Sequence, residues 1–384
     1  ANGNIVMPGL INMHCHAADS LFRGLVENLP LEEWLGRVWI AEKAILTPET
    51  TYLGSALGLG ENLLSGSTTV MDMFWYPNET VKAAKDLGMR ISTGGIFFDL
   101  PGIGGRSQED YISEADNFYQ NHSSDDSVIP AILPHGSYTV SPQNLSEAKS
   151  MADQYGILFC THAAETQAEQ NDIKARYDNS VIRHLDKYKL LGETSVLAHC
   201  VHLDDTEISL LAQSKTNVVL NPMSNLKLGS GIAPVKAMHR AGINLTIGTD
   251  GAISGNDLDM WLAMRLTCGL AKGVNMEADA LTAEQVLHMA TISGAKALGK
   301  SDSLGSLEIG KNADFILVDI NNSHSVPLFD PITHLVFGAG RSDVTDVFVS
   351  GKHVVKNKKI TGLDIEKIHE EVRQLAPSIK ASLE

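Results

Sequence analysis

Eight short apolar runs rich in β-branched residues constrain this chain most, because each is followed by a loop and then by a longer segment with helical spacing. They fall near residues 9–14, 68–73, 90–98, 128–133, 157–162, 195–199, 217–221 and 244–249. Between them lie "TTYLGSALGLGENLLSG", "NETVKAAKDLG", "SEAKSMADQYG" and "DTEISLLAQS", several closed by a glycine suited to a helix C-terminus. Strict alternation of strand and helix requires parallel strands, since each helix serves as the crossover. Eight such units predict a closed (β/α)8 barrel of the TIM type rather than an open doubly wound sheet. No Gly-x-Gly-x-x-Gly follows the first run, which removes the main support for a dinucleotide site.

After about residue 300 the texture changes. "GSLEIGKNADFILVDI" and "DVFVSGKHVVKNKKI" alternate apolar and polar residues around Gly and Asn turns, as small antiparallel strands do. The expected organisation is a barrel over 6–300, a small β-sandwich-like unit from 1–5 and 301–363, and a packing helix over 364–384 with Ile365, Ile368, Val372 and Leu375 on one side. A net charge of -16, with no clustered basic stripe, argues against a nucleic-acid surface. The four cysteines, Cys15, Cys160, Cys200 and Cys268, show neither CxxC nor disulfide-framework spacing and read as buried free thiols in a reducing compartment. No membrane-length apolar run and no secretory pattern is present, so the cytoplasm is the expected location.

Catalytic groups of such barrels gather at the C-terminal ends of the strands. His14 and His16 end the first run, His162 and Glu165 ("THAAE") the fifth, His199 ("LAHC") the sixth and Asp250 ("IGTDGA") the eighth. Alternate residues of a strand share a face, so the imidazoles of His14 and His16 point together while Cys15 points away. Packing would scatter such residues between both barrel ends; four strand ends on one side predict a metal site instead. Three imidazoles and a carboxylate from these strand ends suit zinc, with Fe(II) or Mn(II) also compatible. Glu165 can stand beside the metal without binding it, and His199 can donate to an oxygen or leaving group. His202 flanks its loop, and His184, His239 and His288 fall inside helical segments.

The ordered series "PGLINMHCH", "LFRGLVENLPLEEWL", "SGSTTVMDM", "PHGSYTVS", "THAAET", "NPMSNLKLGSGIAPV" and "GTDGAISGNDLDMWLAMR" resembles the amidohydrolase superfamily. The likeness is to its branch of triazine hydrolases and methylthioadenosine/S-adenosylhomocysteine deaminases, and it covers nearly the whole chain. It implies a single divalent metal on His14, His16, His162 and Asp250, since "AILPHG" carries no lysine of the kind found in binuclear members. Glu165, His199 and Asp250 would carry the acid/base work, and the bond broken would be an exocyclic C–N bond of an amino-substituted N-heterocycle, with release of ammonia. Glu42, Arg106 and His135 are implied to line the nucleoside side of the pocket, with Trp75 and Ser254 also expected to meet substrate.

Two departures bear on substrate. Asp19 stands where those deaminases often carry methionine, as a specificity residue or as a solvent-facing loop residue or helix N-cap. Gly94 and Gly95 stand where some members carry an arginine. A purine nucleoside of the adenosine type is the first expectation; a guanine- or pterin-type base, and a triazine losing chloride or an alkylamine, are the alternatives, and a non-catalytic scaffold would be missing ligands that this chain retains. The resemblance admits a homo-oligomer. It also implies that strands usually supplied before "IVMPG" are absent or reduced, which would leave "DFILVDI" with an unpaired edge.

Overall fold

The computed structural model describes residues 3–99, 103 and 105–384. Ten strands precede residue 252: β1 (Ile5–Pro8), β2 (Leu10–His16), β3 (Ser67–Asp72), β4 (Arg90–Phe97), β5 (Val128–Pro134), β6 (Leu158–Ala163), β7 (Ser195–His199), β8 (Asn217–Leu220), β9 (Leu245–Ile247) and β10 (Asp250–Gly251). Strands β2 to β9 pair in parallel in sequence order, and β10 pairs in parallel with β2. β9 and β10 are two halves of one run. Its first half pairs with β8, and its second, through Asp250 opposite Cys15 and Gly251 opposite His16, returns to β2 and closes the barrel. Every residue of β3, β4, β6 and β7 is buried, as expected of strands covered on both faces.

The helices start and stop where local chemistry dictates. Thr47, Ser107, Ser141, Thr166, Asp204 and Thr282 each accept the backbone N–H three residues on. Gly88 (φ 75°) and Gly156 (φ 64°) end helices in the left-handed region that favours glycine. The connection after β2 is the long one. A 3-10 turn, Ala17–Phe22, leads to helix Leu31–Ile45, which buries Leu31, Trp34, Val38, Ala41 and Glu42 on one face. Leu31, Trp34, Val38 and Glu42 on that face line the cleft at the barrel mouth.

The chain beyond the barrel forms β11 (Phe315–Val318), β12 (Val344–Val349), β13 (Lys352–Lys356) and β14 (Lys359–Ile360), in one antiparallel sheet of order β1-β11-β12-β13-β14. It is a single sheet, and the barrel supplies its second layer: Ile316 and Val344 lie against Gly66, and Val354 against Gly88. The unpaired edge expected for "DFILVDI" is not found, because β1 pairs along β11 from Ile5–Val318 to Pro8–Phe315. Helix Ile365–Ala381 packs against the core through Ile368, with Ile365, Val372 and Leu375 beside it. All four cysteines are buried and free. Among the described residues no helix is long and apolar enough to cross a membrane.

Arg90, at the start of β4, ties the barrel to this sheet. Its guanidinium pairs with Asp314 and donates to Ser350 Oγ at 2.8 Å, while the Ser350 N–H donates to Asp314 Oδ1 at 2.7 Å. Both charged side chains are buried, so Arg90→Ala leaves an uncompensated carboxylate. Loss of about 3–5 kcal/mol is expected, read as a lower denaturation midpoint. An unchanged midpoint would show that the pair is solvated.

Candidate active site

The strand ends bring the predicted histidines and acids to one point. His14 Nε2 and His16 Nε2 lie 3.3 and 3.0 Å from Asp250 Oδ1. His162 Nε2 lies 3.1 Å from His14 Nε2 and 3.3 Å from His16 Nε2. Donors at zinc–ligand distances of 2.0–2.1 Å in a tetrahedron are separated by roughly 3.3 Å, so these four atoms have the spacing of a single small dication's ligands. His199, expected beside the ligands, lies at the same centre: His14, His162, His199 and Asp250 each offer an atom within 4.8 Å of the others.

Neighbouring groups fix which lone pairs face inward. A carbonyl can only accept, so His16 Nδ1–H donates to the Met73 carbonyl and His162 Nδ1–H to the His135 carbonyl, each at 2.6 Å, which turns Nε2 to the centre, as a lone pair on His162 and on His16 once a cation takes the place of its proton. His199 Nδ1 is held by Asn225 Oδ1 at 2.8 Å. Asp250 Oδ2 accepts from Ser224 Oγ at 2.6 Å and Ser254 Oγ at 2.8 Å, so Oδ1 is the oxygen turned to the histidines. Gly248 is required beneath: a Cβ there would fall 2.6 Å from Asn221 Oδ1 and 2.8 Å from His14 Cβ. The ends of β6, β7 and β10 hold Ala164 (φ 52°), His199 (φ 77°), Cys200 (φ 48°) and Asp250 (φ 63°) in the left-handed region, strain of the kind that clusters at functional sites.

Electrostatics supports a cation at this point. Burial lowers the His14 pKa to about 4 and holds His162 well below its usual value, so both rings are neutral donors. Burial also opposes charge on Asp250, yet hydrogen bonds from His14 and His16 hold its carboxyl well below the usual range. Burial likewise disfavours a charged His16, but Asp250 outweighs it and lifts that ring to about 10. The proton on His16 supplies the positive charge that Asp250 demands. A dication on the four donors would supply it in its place.

Beside this centre Glu165 is buried, its Oε2 3.7 Å from His199 Nε2 and its Oε1 3.5 Å from Ser230 Oγ. Burial raises its pKa, which suits a carboxyl that must carry a proton. The centre opens into a cleft at the barrel mouth, lined by residues of β2, β6, β7 and β10 and by helix Leu31–Ile45. Trp75 stacks on Phe98 with ring centroids 5.0 Å apart, and His135 lies 4.6 Å from the same ring, so one wall offers flat surfaces to a flat ligand.

The remaining predicted residues divide. Asp19, Glu42, Trp75, His135 and Ser254 all line the cleft. Asp19 is not a solvent-facing cap; it is buried within the 3-10 turn. Ser254 also directs its hydroxyl to Asp250 and so supports that carboxylate. Arg106 is not among the lining residues, because Glu114 and the Ile103 carbonyl take its guanidinium over the Tyr76 ring. Gly94 and Gly95 leave no room for a larger side chain: a Cβ would lie 2.0 Å from the Ala131 carbonyl or 2.4 Å from Ala115 Cβ. Ser224, Asn225 and Ser230 were not singled out from the sequence. The first two sit just after β8 in "NPMSN", where the rule for strand ends could have found them.

Residues 5–354 match the Amidohydrolase family. The chain belongs to the amidohydrolase family. It is 37% identical over 378 residues to a 5-methylthioadenosine/S-adenosylhomocysteine deaminase of Syntrophobacter fumaroxidans, covering 98% of this chain and 86% of the relative. A 5'-deoxyadenosine deaminase of Methanosarcina acetivorans is 40% identical over 384 residues, with 99% and 88% covered. Among solved structures, an adenosine deaminase from Xanthomonas campestris with bound zinc superposes with a TM-score of 0.96 at 35% identity, covering 98% of this chain and 86% of that one. This amidohydrolase is thus a hydrolase acting on C–N bonds.

Proposed function

We propose that this amidohydrolase is a metal-dependent deaminase of adenosine-type nucleosides, such as methylthioadenosine, S-adenosylhomocysteine or adenosine, replacing the exocyclic amine with oxygen and releasing ammonia. The observation that carries this reading is a buried carboxyl, Glu165, 3.7 Å from His199 and beside a four-donor centre, in a cleft with a stacking wall. Relatives named for deamination of adenine nucleosides support it over nearly the full chain.

His14, His16, His162 and Asp250 would hold one divalent ion, and their N/O donors at tetrahedral spacing favour zinc. Bound there, such an ion makes a water nucleophilic near neutral pH by lowering its pKa. Asp250 Oδ1 accepts the proton that the water gives up as it adds to the ring carbon bearing the amine. Glu165 donates its own proton to the adjacent ring nitrogen, which draws electrons from that carbon. His199 Nε2 faces the new oxygen and holds it. The proton on Asp250 then passes to the amine, ammonia departs, the proton left on the new oxygen returns to Glu165, and the ring is left as the carbonyl tautomer. Trp75, Phe98 and His135 orient the ring.

The acidic surface and free buried thiols suit a small-molecule enzyme of the cytoplasm that takes no nucleic acid. Ammonia release should be assayed with zinc-loaded protein on methylthioadenosine, 5'-deoxyadenosine, adenosine, guanine, pterin and amino-triazines. Turnover of the adenine nucleosides is expected. Turnover confined to free bases, pterins or triazines would overturn the nucleoside assignment.

A further inference from the structure

Glu165 carries the proton in the reaction above, yet its own carboxyl is held loosely. Oε2 stands 3.7 Å from His199 Nε2 and Oε1 3.5 Å from Ser230 Oγ, both long for a hydrogen bond. That freedom serves a group that must release a proton and recover it, but the transfer also needs the carboxyl within hydrogen-bond reach of the ring nitrogen. Its place is therefore set from the backbone.

The segment "HAAET", residues 162–166, shows how. The chain leaves β6 through Ala164 at φ 52°, a left-handed conformation that an alanine keeps only where its neighbours hold it. On one side the N–H groups of Val201 and His202 both donate to the Ala164 carbonyl at 2.9 Å, and the Cys200 N–H donates to the Ala163 carbonyl at 3.0 Å. On the other side the Glu165 N–H donates to Glu169 Oε2 at 2.7 Å. Glu169 is the third residue of helix Gln167–Tyr177, and its own N–H goes to Thr166 Oγ at 3.0 Å. A glutamate at this position commonly caps its helix, but the N–H taken here belongs to the proton carrier. Glu169 is 4% exposed and does not line the cleft, so it meets substrate only through Glu165.

We propose that Glu169 is a positioning residue for the proton transfer, holding the Glu165 N–H so that the Glu165 carboxyl faces the ring nitrogen. This rests on the reading of Glu165 as the proton carrier and adds the residue that places it. Glu169 gives up no proton in the reaction; its acceptor oxygen fixes the backbone from which Glu165 projects.

The test is a double-mutant cycle on the zinc-loaded full chain, with methylthioadenosine or, failing that, the fastest ring of the ammonia-release panel, joined to zinc content and the denaturation midpoint. Glu169→Ala should lower kcat by about 10- to 100-fold while KM and zinc content stay as they were. In a Glu165→Gln background the same change should cost no more than about twofold, because no proton carrier is left to place. Glu169→Gln keeps an acceptor oxygen at the same reach and should restore most of the rate. A helix cap alone would lower the midpoint and slow both backgrounds alike. If Glu169→Ala does not fold, Glu169→Asp, which draws the acceptor back by one methylene, takes its place in the cycle. Undiminished kcat in Glu169→Ala, equal losses in both backgrounds, or a Glu169→Gln rate as low as that of Glu169→Ala would overturn the proposal. A slow Glu165→Gln beside a fast Glu169→Ala fails this inference alone. If Glu165→Gln turns over at the unmodified rate, or no ring of the panel reacts, the proton-carrier reading fails and this inference falls with it.

Discussion

Glu165→Gln is expected to lower kcat by about 100-fold or more while the metal stays bound. The side chain is buried beside His199 and Ser230, and glutamine has nearly the same shape, so the fold and the four-donor centre should persist. What is lost is the proton. A buried carboxyl with a raised pKa can give one up to a ring nitrogen and recover it; a carboxamide cannot. Steady-state kcat measured together with metal content separates the two roles. Unchanged turnover would remove Glu165 from the mechanism, and lost metal would make it a ligand.

Asp250→Ala should be more severe, with activity down by at least about 1,000-fold and the metal lost on dialysis. Asp250 is the one anion among the four donors at the centre, and in the proposed mechanism its Oδ1 serves as both ligand and proton acceptor. Ser224→Ala offers the graded comparison. It removes one of two hydroxyls that hold Oδ2, and changes to such supporting groups typically reduce activity or affinity by about 10- to 100-fold. Equal losses in the two variants, measured as kcat and as zinc per chain, would contradict this division of roles.

The barrel was legible because its strands are covered on both faces, so their sequences are short runs rich in apolar and β-branched residues, β3 and β4 carrying Ser and Thr among them. All eight expected runs overlap observed strands. The expected last run stopped at residue 249 because β10 is only two residues long, Asp250–Gly251, and has no apolar pattern of its own. Titratable ligands were legible from their position at strand ends. Ser224 and Asn225 were not, since neutral polar residues give no comparable signal until their partners, Asp250 and His199, are placed. Arg106 misled for a local reason: its orientation is decided by Glu114, eight residues on in the next helix, which motif likeness does not encode. Asp19 shows the same limit, because a short polar residue after a strand suits an exposed cap as well as a buried position, and only the packed 3-10 turn Ala17–Phe22 distinguishes them.

The most direct measurement is a zinc titration of metal-free protein, following ammonia release from methylthioadenosine. Activity should rise from near zero in proportion to added zinc and level off at one equivalent per chain. Full activity before any metal is added would contradict the four-donor centre as the source of the chemistry, and so would a rise that continues to two equivalents.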